Sequence, residues 1–202
     1  IEDERRDDSV IVNDIPDEQL WFLDESGFNL HVAPIRCWAP VGHTPVVDVP
    51  ANRGKNLSLL TCISVDGIVY AEVNDGPYNE ISFTAYLTAL GHRYPAVMRG
   101  EICLVMDNVA FHHSRFVQEF FQTNNIRFMF LPSYSPDPNP IENFFGALKA
   151  KYRQRGTVAT RDEMRARILD VIEELERDLD MRRFHARMRR FVAKGMNREN
   201  FS

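Results

Sequence analysis

Membrane-spanning stretches are missing from these 202 residues: no apolar run approaches the roughly 18 residues that a transmembrane helix needs. No secretory leader pattern opens the chain, so no membrane association is expected. Cysteine is scarce. Cys37, Cys62 and Cys103 stand far apart and are odd in number, which argues against a disulfide framework, and no CxxC knuckle offers a zinc site. A reducing intracellular compartment fits best, the nucleus for a eukaryotic source and the cytoplasm for a bacterial one. Internal repeats, low-complexity tracts and an internal domain boundary are also lacking. Positive charge is in deficit, with 24 Lys+Arg against 29 Asp+Glu, and a net charge of −5 taken alone disfavours a nucleic-acid partner. The sequence opens on Ile1 rather than Met and is therefore expected to be a fragment or a processed product.

What is present is a globular composition, 44% hydrophobic and 26% charged, in a chain long enough for one domain with a proper core. Its charge is unevenly placed. Residues 151–202 carry 14 Lys+Arg against 9 Asp+Glu, whereas residues 1–150 carry 10 against 20. Such an asymmetry suits a polyanionic partner, although a solvated helical face explains the same arginines.

Periodicity outlines an α/β protein. "LWFLDESGFNLHV" and "IRCWAP" read as strands, and "LSLLTCISV" and "IVYAEVN" as a β-hairpin around Asp66-Gly67. Three antiparallel strands in a row is the simplest account. "NEISFTAYLTALGHRY" spaces Ile81, Ala85, Leu87, Leu90 and Tyr94 as a helix would. "EICLVMDN" is a short buried strand, "SRFVQEFFQTNN" a helix opened by Ser114, and "IRFMFLP" a further strand, a β-α-β passage that implies parallel pairing. Helices follow. Ile141, Phe144, Phe145, Leu148 and Tyr152 share one face, and a Thr160…Glu163 capping box precedes a stripe through Met164, Ile168, Val171, Ile172, Leu175 and Leu179. From 181 to 195, arginines alternate with Phe184, Met188, Phe191 and Val192.

Three acids stand out, each with an ordinary explanation beside it. Asp24 precedes Glu25 in a strand, so only one of the pair faces a given side, and Asp24 also reads as a surface acid near a turn. Asp107 ends a buried strand, where α/β sheets place ligands, and an Asx-turn that stops the strand explains it too. Glu142 falls at the third position of a helix capped by Asn139 and begun by Pro140, which is capping-box spacing. A bare Asn suffices to start a helix, however, and leaves the proline-rich "LPSYSPDP" before it unexplained.

"LDESGF", "MDNVAFHHS" and "LPSYSPDPNPIENFFGALK" together resemble the catalytic domain of the mariner superfamily of DDE transposases and its bacterial insertion-sequence relatives. The resemblance runs from about residue 19 to 155, and 34 positions separate Asp107 from Glu142, one of that family's spacings. It implies an RNase H-like fold, a mixed five-stranded sheet flanked by helices, with extra C-terminal helices. The expected organisation is an acidic arm over 1–18, a catalytic domain over 19–155, and basic helices over 156–202 packed on it. Asp24, Asp107 and Glu142 take the places of the three catalytic acids, which in the family hold two Mg²⁺ (or Mn²⁺) ions. Oxygen-only ligands suit those metals and not a structural zinc.

The implied activity is metal-dependent cutting of double-stranded DNA at transposon ends and joining of 3′-hydroxyls to target DNA. Asn108, His112, His113, Lys149, Lys151, Arg153 and Arg155 are candidate DNA contacts, although a structural or merely exposed role is the favoured reading of the two histidines. Residues 38–55 match the place where relatives insert a clamp onto a partner subunit, and a homodimer is expected of the full-length protein. Those relatives carry helix-turn-helix modules ahead of the catalytic domain, and residues 1–19 cannot form one. The rival readings are a domesticated DNA- or protein-binding module without catalysis, and another RNase H-like nuclease. Three acids in register disfavour the first, and the Pro-Asn-Pro-Ile-Glu segment the second.

Overall fold

The computed structural model of the chain describes residues 14–29, 40–43, 56–131 and 139–196, with side chains as far as Arg190. The expected strand at "IRCWAP" and nearly all of the proline-rich turn lie outside the described residues. So does residues 38–55 except for a turn at 40–43. Strands β1 (Leu20–Phe28), β2 (Leu57–Ser64), β3 (Gly67–Asp75), β4 (Cys103–Met106) and β5 (Arg127–Phe130) form one sheet in the order β3-β2-β1-β4-β5. β1 pairs antiparallel with β2 and parallel with β4, β3 is antiparallel to β2, and β5 is parallel to β4. This is the mixed RNase H-like sheet that the resemblance implied. The β2–β3 loop is Val65–Asp66, one residue earlier than the sequence suggested, because Ser64 pairs with Gly67.

Alternation along β1 sorts the two faces. Leu20, Phe22 and Phe28 join Leu57, Leu59, Ile63, Cys103 and Val105 in one core, while Trp21 and Leu23 join Leu60, Cys62, Leu104 and Met106 in the other. Helices α1 (Glu80–Arg93) and α2 (Arg115–Thr123) cover the second core. On α1 the buried residues are Phe83, Tyr86, Leu87 and Leu90, and Ile81 is exposed. Of the expected stripe, Leu87 and Leu90 are buried while Ile81 and Ala85 are exposed, the buried face running instead through Phe83 and Tyr86.

Helices α3 (Pro140–Gln154), α4 (Arg161–Asp178) and α5 (Met181–Met196) cover the first core. The apolar stripes of α3 and α4 are buried as read, and the Thr160–Glu163 capping box is present. The side chains of Phe191 and Val192 lie outside the described residues.

The basic C-terminal third grips the acidic body. Lys151 of α3 bridges Glu174 (2.8 Å) and Asp178 (2.7 Å) of α4, and Arg155 meets Glu174 at 2.6 Å. Arg165 reaches Asp75 at 2.9 Å, Arg182 reaches Asp66 at 3.0 Å, and Arg189 reaches Asp17 at 2.6 Å. Ile15 is buried in the first core, so the described end of the acidic segment is docked on the domain.

His185 sits beneath α5 with its ring edge-on to Phe22 (5.2 Å between centroids). It is 1% exposed, and neither ring nitrogen has a hydrogen-bond partner among the described residues. Burial pushes its pKa down from 6.5 to about 4. Between those values the unfolded chain takes up a proton that the folded chain refuses, so His185 costs stability as pH falls from 6.5 toward 4. His185→Leu should therefore gain on the wild type by on the order of 2 kcal/mol between pH 7 and pH 5 in urea unfolding. A difference that stays constant with pH would contradict this placement.

Candidate active site

The register of the parallel β1–β4 pair runs from Leu20 beside Cys103 to Leu23 beside Met106, so one further step sets Asp24 beside Asp107 on the neighbouring strand. Adjacent strands lie about 4.8 Å apart. Both acids continue the residues of the first core face, Asp24 after Leu20 and Phe22, Asp107 after Cys103 and Val105. Glu142 comes to the same face from above, in the first turn of α3, whose apolar stripe packs there. Glu25 points the other way, as strand alternation requires.

Glu142 is not part of a capping box. Asn139 accepts from the backbone N–H of Ile141 at 3.2 Å, and Glu142 makes no return bond to the cap. Its exposed carboxylate is left to face Asp24. Asp24 is half-buried, and its pKa is raised to about 7, first by loss of water, then by the charge of Asp107, with Glu142 adding charge and a hydrogen bond. One N–H, from Glu25 at 2.7 Å, opposes this rise. Burial also raises Asp107. The three acids thus feel one another, but among the described residues no group of three His, Cys, Asp or Glu side chains is gathered closely enough to hold an ion.

Residues 110–113 form a 3-10 turn that sends the two histidines opposite ways. His112 is 4% exposed, against Phe83, Phe111 and Phe130. Its Nδ1 lies 3.1 Å from the Asp107 carbonyl and 3.5 Å from its carboxylate. Burial lowers its pKa, so the neutral ring donates Nδ1–H to that carbonyl. His112 is therefore a brace for Asp107 and not the DNA contact considered from sequence. His113 is exposed, bonded to the Asn108 side chain, with its ring tilted against Phe130 at 4.3 Å between centroids. Lys151 and Arg155 are engaged with α4, as described above. Lys149 and Arg153 lie on the same stripe of α3 as Glu142, seven and eleven residues on, and have no ion-pair partner among the described residues.

The surroundings fit a hard divalent cation. All three donors are carboxylates, and the thiols of Cys62 and Cys103 are buried in the sheet. Two hydroxyls that sequence reasoning did not single out, Ser26 and Thr61, share this face, buried and without a hydrogen-bond partner among the described residues.

A family model described as DDE superfamily endonuclease matches residues 19–165. The chain belongs to that family. The Tc3 transposase of a transposable element in Caenorhabditis elegans is 27% identical over 159 residues, covering 74% of this chain and 47% of that protein. This chain thus spans about half the length of that curated relative. Among solved structures, the catalytic domain of Mos1 mariner transposase superposes with a TM-score of 0.72 at 14% identity, covering all of this chain and 95% of that one. A pre-cleavage Mos1 transpososome gives 0.79 at 15% identity, covering 100% and 64%. The Mos1 catalytic domain with Raltegravir and Mg gives 0.69 at 16%, covering 98% and 96%. These likenesses match the fold, and with the family model they agree with the mariner-type reading of the motifs.

Because Asp24 binds its proton more tightly folded than unfolded, its contribution to stability is lost as pH rises from 3.8 through about 7. Asp24→Asn should melt a few degrees above the wild type at pH 8 without divalent metal, with the gap closing toward pH 4. Equal melting temperatures at pH 8 would show that Asp24 is not crowded by the other acids.

Proposed function

We propose that this chain is the catalytic domain of a DNA transposase, and that Asp24, Asp107 and Glu142 hold two Mg²⁺ or Mn²⁺ ions. The observation that carries this reading is the one-step continuation of the β1–β4 register, which sets Asp24 beside Asp107, together with a Glu142 left free by its own helix cap. When bound, the ions supply activation of the attacking oxygen and stabilisation of the leaving oxygen in phosphodiester chemistry. The protein supplies a fixed seat. Asp24 is anchored by the central strand and by the Glu25 N–H, and Asp107 by the braced turn behind it. Glu142, on the first turn of α3, is the acid with freedom to close on the others.

Two reactions would use the site. In the first, a water oxygen attacks a backbone phosphorus and the bond to the 3′ oxygen breaks, freeing a 3′-hydroxyl. In the second, that hydroxyl oxygen attacks a phosphodiester of target DNA, forming one P–O bond as another breaks. Substrates would be double-stranded transposon ends and target DNA, with a homodimer as the working unit of the longer protein. Lys149 and Arg153 would hold phosphates along the stripe that leads from Glu142, and Asn108 and His113 flank the second acid.

Asp107→Ala should abolish Mn²⁺-dependent cutting of duplex DNA without lowering the melting temperature, and undiminished cutting would refute the assignment. Lys149→Ala and Arg153→Ala should each reduce the salt slope of DNA binding by about one. Lys151→Ala and Arg155→Ala should instead lower thermal stability and leave that slope alone, as filter binding across salt concentrations and thermal melts would report.

A further inference from the structure

Thr61 is paired with Asp24 across the antiparallel β1–β2 ladder, so the two side chains rise from the same face of the sheet as direct neighbours. Thr61 has no exposed surface, and its Oγ1 has no hydrogen-bond partner among the described residues. Ser26, two residues along β1 from Asp24 and therefore on that face as well, is 3% exposed with an equally unpartnered hydroxyl. Buried hydroxyls without a partner are rare and destabilising, and a shape-matched apolar residue would remove the cost. Valine differs from threonine by one atom type and suits a central strand at least as well. Every other residue of β2 that faces this core, Leu57, Leu59 and Ile63, is aliphatic. A polar atom is therefore kept at the single position of β2 that lies opposite the first acid.

We propose that Thr61 is a positioning residue of the active site, its hydroxyl completing a hydrogen bond to the Asp24 carboxylate, or to a water on the ion it holds, when a divalent cation is bound. Ser26 backs the same carboxylate from along the strand. Groups of this kind orient metal ligands and commonly change metal affinity tenfold or more when removed. The inference rests on the metal reading given above, and it gives the two buried hydroxyls beside Asp24 a partner.

The test crosses two substitutions with two readouts. Thr61→Val keeps the shape and removes the hydroxyl, while Thr61→Ser keeps the hydroxyl and removes a methyl. Mn²⁺ binding is followed by electron paramagnetic resonance of the free ion, without DNA or turnover, and melting temperature is measured in chelator. Thr61→Val should melt at or above the wild-type temperature yet bind Mn²⁺ about tenfold more weakly. Thr61→Ser should melt lower yet bind Mn²⁺ within about twofold of wild type. A purely structural Thr61 would let both quantities fall together or leave Mn²⁺ binding untouched, and either result overturns the proposal. Asp107→Ala serves as the reference for the underlying reading. If wild type and Asp107→Ala bind Mn²⁺ alike, the metal site itself is wrong and the proposal falls with it. If Asp107→Ala loses Mn²⁺ while Thr61→Val retains it, the role of Thr61 alone is refuted.

Discussion

Like-charge crowding at the end of the central strand is the constraint around which this molecule is arranged. Asp24 has lost most of its water, faces Asp107 on the next strand, and has Glu142 brought down on it by a helix whose apolar stripe leaves no other seat. Such an arrangement weakens a protein considered only as a folded chain.

The rest of the fold holds this tension in place. Strand β1 is the central strand of the sheet, antiparallel to β2 and parallel to β4. The arginines and lysines of the C-terminal third tie α3 to α4 and α5 to the hairpin and to the residues before β1. Basic residues that composition leaves open to either a polyanion or solvent are thereby partly occupied with ion pairs within the domain. Lys149 and Arg153, on the stripe of α3 beyond Glu142, have no ion-pair partner among the described residues.

Much of this was legible in the sequence because local and global signals agreed. The run "EICLVMDN" could only be a buried strand ending in an acid, and the stripe from Ile141 to Tyr152 fixed which way α3 faces. Glu142 was ambiguous for a physical reason. A third-position glutamate after Asn-Pro suits both a cap and a ligand, and only the side-chain geometry separates them. The histidines were read as structural or merely exposed, and only the 3-10 turn decides which is which, burying His112 and leaving His113 exposed. Thr61 and Ser26 were invisible for a different cause: strand-forming residues carry no mark of being unpartnered until the register shows what they oppose. Ion pairs such as Lys151–Asp178 join residues far apart in sequence and leave no local trace.

The most direct test of the central claim is anomalous diffraction from crystals of this chain soaked in Mn²⁺. The account predicts manganese density bounded by the carboxylates of Asp24, Asp107 and Glu142, with Glu142 swung toward the sheet. Manganese bound elsewhere, or three carboxylates still apart with Glu142 turned back onto Asn139, would contradict it.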